Sequence, residues 1–243
     1  MKPTELYRET FRQGVLQGTV IGGPLDAAEE LRRSRFFIKT MEQYIASSER
    51  TEVKQLEAEA QALSDEVKDE FWQWNYPIHW QDIFGVRIRS AFCAQLCSQV
   101  EAALGDIAHR IQVIERCSAL GKNKKFKKGS TLDKHKRYFT QYAKFDGPED
   151  ELWLRMGFVF RIRNAHVHNQ GYAGDIDRDN AFGHFLSSLP QISTQNNFIE
   201  LKAGSCIALL EITERFNNAL LEEYEVYRQR ALTLERLPHV PQT

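Results

Sequence analysis

In the string Arg163-Asn164-Ala165-His166-Val167-His168-Asn169, a guanidinium, a carboxamide and two imidazoles follow one another. They stand at the end of the apolar run Leu152-Trp153-Leu154-Arg155-Met156-Gly157-Phe158-Val159-Phe160. Such groups are costly to bury without partners, so their concentration at the end of a core-forming segment calls for a chemical use. The combination suits RNA. RNA is cut by its own 2′-hydroxyl when a base of near-neutral pKa takes the proton, a task for His. A fixed cation must also meet the charge that gathers on the phosphate oxygens, a task for the bidentate fork of Arg. An amide such as Asn164 orients the imidazole or a phosphate oxygen. The reaction requires no metal, and its use of the 2′-hydroxyl leaves DNA untouched.

Spacing sets a condition on this chemistry. Asn164 and His168 are one turn apart and share a helix face. Arg161 stands seven residues before His168 and nearly above it. Arg163 stands five before it, which on an ideal helix points it about 140° away. Convergence then requires the long Arg side chain to swing back, the helix end near Gly171 to turn His168, or a two-fold dimer to bring two helix ends to one cleft. His166, one turn from Arg163, is the alternative imidazole. The structural reading of the same residues is a polar cluster that fixes a helix end, with Arg163 paired to an acid such as Glu101 and His168 capping carbonyls near Gly171.

A second stretch bears on the same chemistry. Gly121 to Gly129 holds Lys122, Lys124, Lys125, Lys127 and Lys128 around Phe126, with no acid. Charge runs are commonly solvated loops. Lys134, Lys136 and Arg137 extend the positive character, which favours contact with a phosphate backbone. The formal net charge of the 243-residue chain is −1, so nucleic-acid affinity must come from such a local patch.

These residues need elements to hold them. Hydrophobic content of 42% and charged content of 27% fit a globular chain of this length. A helical pattern runs from Leu25 to about Asn75, with Asp26 as N-cap, Ser47-Ser48 as an interruption and a second helix from about Glu52 through Phe71. Residues 1–24 are poorly periodic, an arm or a short ordered cap, and end at the breaker Gly22-Gly23-Pro24. The aromatic group Phe71, Trp72, Trp74, Tyr76 and Trp80 reads as packing, at a core or a dimer contact, ahead of base stacking. A third helix spans about Trp80 to Cys117, striped by Ile88, Phe92, Leu96, Val100, Leu104 and Ile107, with Glu101 near the stripe. Further helices cover about 132–144, 149–169 and 203–234. Asp146-Gly147-Pro148-Glu149 starts the one that carries the motif. Residues 172–199 read as irregular with a short helix near 180–189. Asn197 to Leu201 alone hints at a strand. The class is all-α, an antiparallel helical bundle, with the tail from Pro238 disordered.

Cys93, Cys97, Cys117 and Cys206 form no C-x-x-C pair. Cys93 and Cys97, one turn apart on an apolar face, read as buried thiols, and a cytoplasmic location follows. No apolar run reaches membrane-spanning length, and the N-terminus lacks a signal-peptide core. No metal site and no cofactor motif is expected; Gly14 to Gly23 lacks the pattern of a phosphate-cradling loop.

Arg163-Asn164-x-x-x-His168 resembles the Arg-x(4–6)-His signature of the HEPN superfamily, and "RNAHVHNQG" is similar to the "RNxxVHNxG" form of bacterial stand-alone members. Ser90-Ala91-Phe92 through Glu101-Ala102-Ala103-Leu104 resembles the family's first core helix, and the order of the later helices agrees. The resemblance covers about residues 78–235. Residues 1–77 form an N-terminal arm and helical extension, and 236–243 a flexible tail. It implies a four- or five-helix bundle that dimerises and places two motifs in one composite site. Arg163 would then stabilise the scissile phosphate, His168 act as general base or acid, Asn164 assist and Glu101 orient the basic groups. RNA would contact Lys122, Lys124, Lys125, Lys127, Lys128 and Arg161. The implied activity is a metal-independent endoribonuclease, a toxin or antiphage effector with an antitoxin or defence-system partner. The alternative it implies is an inactive interaction or nucleotide-binding module. Gln170 stands where one toxin branch has a modifiable Tyr, which argues against that form of control.

Overall fold

The structure, a computed structural model, describes residues 3–18, 24–75, 79–145, 147–176 and 180–236. Gly22-Gly23, Tyr76-Pro77, Asp146 and the tail from Pro238 lie outside the described residues. The fold is mostly helical, as the periodicity requires. Helix α1 runs Pro3–Gln17, α2 Pro24–Gln61 and α3 Asp65–Asn75. A π-helical turn, His79–Gly85, leads into α4, Val86–Glu115. Two 3₁₀ turns, Leu120–Lys122 and Lys124–Phe126, precede α5, Thr131–Tyr142, and α6, Asp150–Asn169. After α7, Asn180–Ser187, strands β1 (Ile192–Gln195) and β2 (Phe198–Leu201) pair as an antiparallel hairpin, and α8, Ser205–Arg236, closes the chain. No helix among the described residues is long and apolar enough to cross a membrane.

Three local expectations are corrected, and one left open is filled in. Helix α2 is continuous through Ser47-Ser48. Ser47 Oγ donates to Tyr44 O at 3.0 Å and Thr51 Oγ1 to Ser47 O at 2.9 Å, so these hydroxyls fold back onto the helix that carries them and do not end it. The break comes instead at residues 62–64. Asp26 lies inside the first turn of a helix that begins at Pro24, not at its cap. The N-terminal segment, read as poorly periodic and as either an arm or a short ordered cap, is an ordered helix over Pro3–Gln17. Residues 192–201, read as irregular apart from the hint near Asn197, form the hairpin. Its two-residue turn is Asn196-Asn197, with φ of 50° and 65°. Asn tolerates this left-handed conformation, and two such residues match the strand twist.

The chain divides into two compact units, and the division falls within α2, α4, α6 and α8. One comprises residues 1–31, 97–157 and 212–243; the other comprises 32–96 and 158–211. In the first unit an aromatic series builds the core. Phe126 meets Tyr138 with ring centroids 5.4 Å apart, Phe139 meets Phe145 at 5.2 Å, Phe145 meets Tyr227 at 6.0 Å, and Trp153 meets Phe216 edge-on at 4.9 Å. A capping box at Ser130 and Asp133 starts α5. In the second unit Ile38, Ile45, Phe92, Leu96, Val159, Ile162, Phe182, Leu186, Ile199 and Leu201 are buried. Trp80 packs against Tyr44 and Phe84 and donates through Nε1 to Glu52, whereas Trp74 is 77% exposed. Cys93, Cys97 and Cys206 are buried free thiols.

One charged group lies deep in the second unit. Arg89, 2% exposed at the start of α4, donates Nε and Nη2 to the two carboxylate oxygens of Glu42, each at 2.8 Å. It also donates Nη2 to Gln81 Oε1 at 3.0 Å and Nη1 to Leu201 O at 3.3 Å. A buried guanidinium is tolerated only when its donors are matched in this way. Arg89→Ala strands Glu42 and is expected to cost about 3 kcal/mol in urea unfolding, while Arg89→Met combined with Glu42→Leu recovers most of that loss.

Candidate functional site

The motif occupies the last two turns of α6 and the backbone just beyond it. The apolar face of the helix holds it in place: Val159, Ile162 and Ala165 are buried. Beyond Asn169, Gln170 and Gly171 take left-handed φ of 52° and 96°. Gly171 N–H returns to Ala165 O at 2.9 Å, while Gly171 O accepts from Ile199 N–H at 2.9 Å. The chain end of α6 is thus stitched to the hairpin. Tyr172 bridges Phe198, their rings 5.4 Å apart, and Ala173 N–H donates to Asn197 O at 3.0 Å. Sequence reasoning missed this support. Its signal was present in Asn196-Asn197 set between Ile192-Ser193-Thr194 and Phe198-Ile199-Glu200-Leu201.

A side chain at Gly171 would be doubly penalised. A Cβ there would lie 3.1 Å from Ile199 O, and the φ disfavours any L residue. Gly171→Ala is expected to lower stability by about 1–3 kcal/mol in thermal unfolding, a loss that starts at the end of the motif helix.

The two imidazoles separate. His166 turns inward against Ser90 of α4. Ser90 Oγ donates to Val86 O at 2.7 Å, so its remaining lone pairs accept from His166 Nδ1–H at 3.1 Å. That assigns the proton to Nδ1 and leaves Nε2 as a buried lone pair with no partner among the described residues. The ring also borders Gly171, whose Cβ position is 3.7 Å from His166 Cε1. His168, two residues on, is exposed and bonds to no described residue. It is therefore the imidazole open to an incoming ligand.

Burial holds the His166 pKa below its ordinary 6.5, and no charged neighbour contributes. Charging it would place an N–H⁺ at Nε2 with no acceptor. The buried His135 of the first unit is shifted the same way by desolvation. The unfolded chain binds these protons between the folded pKa and 6.5. The contribution is therefore complete above 6.5 and is lost as pH falls below it. Unfolding free energy is expected to decline as pH drops from about 7 towards 5, and His166→Gln to flatten that slope relative to wild type.

Arg163 bonds to its chain neighbour. Its Nη1 donates to Asn164 Oδ1 at 2.8 Å. Arg163 is half-buried, its Nε is unpaired, and it has no acidic partner among the described residues. Arg161 is committed elsewhere in the unit. Its guanidinium lies 4.0 Å over the Phe182 ring and donates to Ala173 O at 3.4 Å. Glu101 belongs to the first unit, where its charge acts on His135. Exposed apolar side chains flank the motif: Val167 at 47%, Tyr172 at 43% and Phe198 at 49%.

The lysine stretch belongs to the first unit and is a folded turn. Phe126, 4% exposed, plugs it against Tyr138 and Tyr142. Asn123 Oδ1 accepts from Lys125 N–H at 3.0 Å, and Asn123 Nδ2 donates to Tyr142 Oη at 3.0 Å. Arg137 donates to Lys128 O. With the backbone held, Lys122, Lys124, Lys125, Lys127 and Lys128 are all exposed.

Comparison of the chain with protein-family models, with curated proteins and with solved structures gave no match.

Proposed function

We propose that the protein is a metal-independent endoribonuclease of the HEPN type, acting as a toxin or antiphage effector. The observation that carries this reading is one pairing. Arg163 has its guanidinium bonded to Asn164 and neutralised by no described acid, and His168, one turn beyond that Asn in the same helix, is exposed. A cation already matched to a carboxylate has little left for phosphate; this one retains donors.

In the proposed reaction His168 removes the 2′-hydroxyl proton and the 2′-oxygen attacks the adjacent phosphorus. Arg163 donates to the equatorial oxygens as charge builds. The bond from phosphorus to the 5′-oxygen then breaks. That oxygen takes a proton from the protonated His168 of a second copy, since the resemblance implies a homodimer with a shared site. The products are a 2′,3′-cyclic phosphate and a 5′-hydroxyl. The exposed lysines of the turn at 122–128 contact the RNA backbone, a term that weakens with salt.

A second reading draws on the apolar trio Val167, Tyr172 and Phe198 beside the motif. An exposed patch next to an unmatched cation also suits a partner protein, such as an antitoxin, on an inactive module.

Purified protein incubated with total RNA in EDTA is expected to give fragments with cyclic-phosphate ends and to leave single-stranded DNA intact. Arg163→Ala and His168→Ala should each slow cleavage by about 10²–10⁴-fold while melting as wild type does. Equal cleavage by both variants would remove this site, and intact RNA alongside a tight protein partner would favour the module.

A further inference from the structure

The first unit contains a cavity of about 660 Å³ between α1 and the end of α4, and no part of the RNA reading uses it. Three guanidiniums line it, from Arg8, Arg12 and Arg116, with the Phe11 and His109 rings on its wall and Glu9 as the one carboxylate among the described lining residues. Its volume is that of a small-molecule site.

The donors are unevenly committed. Arg12 is the fixed member. It donates Nε to Ile114 O at 3.2 Å and Nη1 to Glu9 Oε1 at 3.2 Å, and it pairs with Glu235 near the end of α8. Arg116 is 69% exposed and uses only Nη2, which donates to Glu9 Oε2 at 2.9 Å. Arg8 is exposed and has no partner among the described residues. Glu9 therefore faces two cations already, and the other donors of Arg116 and the whole fork of Arg8 are left for an incoming anion. Planar forks of this kind take phosphate oxygens in pairs. Phe11 and His109, ring centroids 6.1 Å apart and tilted by 42°, offer flat surface to a ring attached to that anion.

We infer that this cavity binds a monophosphate carrying a planar ring, with Arg8 and Arg116 holding the phosphate and Phe11 and His109 the ring. The site shares no residue with the motif at the end of α6, and the inference stands whether or not the protein cuts RNA.

Calorimetric titration of the full chain tests it with adenosine monophosphate, ribose 5-phosphate and adenosine as probes. Adenosine monophosphate is expected to bind saturably, one per chain, and each of the other two at least about tenfold more weakly. Arg8→Ala removes an exposed side chain that holds nothing in the fold, so it should melt as wild type does and still lose about tenfold in affinity, as should Arg116→Ala. Phe11→Leu should narrow the preference over ribose 5-phosphate. Arg163→Ala should bind as wild type, and Arg8→Ala should leave any RNA cleavage unchanged. No saturable binding by wild type, unchanged affinity in both Arg8→Ala and Arg116→Ala, or loss of binding in Arg163→Ala with retention in Arg8→Ala overturns the inference.

Discussion

The arrangement around the motif depends on one buried cation. Arg89 sits almost entirely out of water, and its guanidinium is matched by Glu42 of α2, Gln81 of the π-helical turn and the carbonyl of Leu201 in β2. A charge in that position tolerates no loose geometry, because any donor left unmatched carries the full cost of desolvation. It therefore fixes three elements on the first turn of α4 at once. The consequence reaches the motif by short steps. Leu201 belongs to the hairpin, the hairpin holds Gly171, and Gly171 ends α6. The residue next to Arg89 is Ser90, which holds His166.

That scaffold divides the labour between two imidazoles of the same helical turn. His166 is drawn against Ser90 and Gly171 and loses basicity through burial. His168 keeps its access to water. Asn164 acts on its own neighbour, and its carbonyl oxygen turns the Arg163 fork. Among the described residues, Nε2 of His166 and Nε of Arg163 are the two buried polar atoms of the motif without partners, and they leave unmatched polarity where chemistry is proposed.

The first unit follows a different logic. Its lysines are presented on a backbone stiffened by an aromatic plug, since Phe126 buries between Tyr138 and Tyr142 and Asn123 caps the turn. Five like charges on a floppy loop would spread apart; on an anchored turn they keep a fixed surface. Elsewhere in the same unit, Arg12 ties α1 to the carbonyl of Ile114 near the end of α4 and to Glu235, beside a cavity rich in guanidinium groups.

The sequence by itself determined the helical class, the extent of most helices and the place of the Arg-Asn-His string at a helix end. These follow from local causes: apolar spacing, caps and breakers act over one or two turns. It misjudged Ser47-Ser48, because a hydroxyl's choice between breaking a helix and bonding back to it depends on what the helix packs against. It could not assign inward and outward imidazoles, nor find the partners of Arg89, nor bring Arg8 beside Arg116. Arg89 meets Leu201 across 112 positions of chain and Glu42 across 47. Only the tertiary structure decided these, since burial and pairing between distant residues arise from packing and leave no periodic trace along the chain.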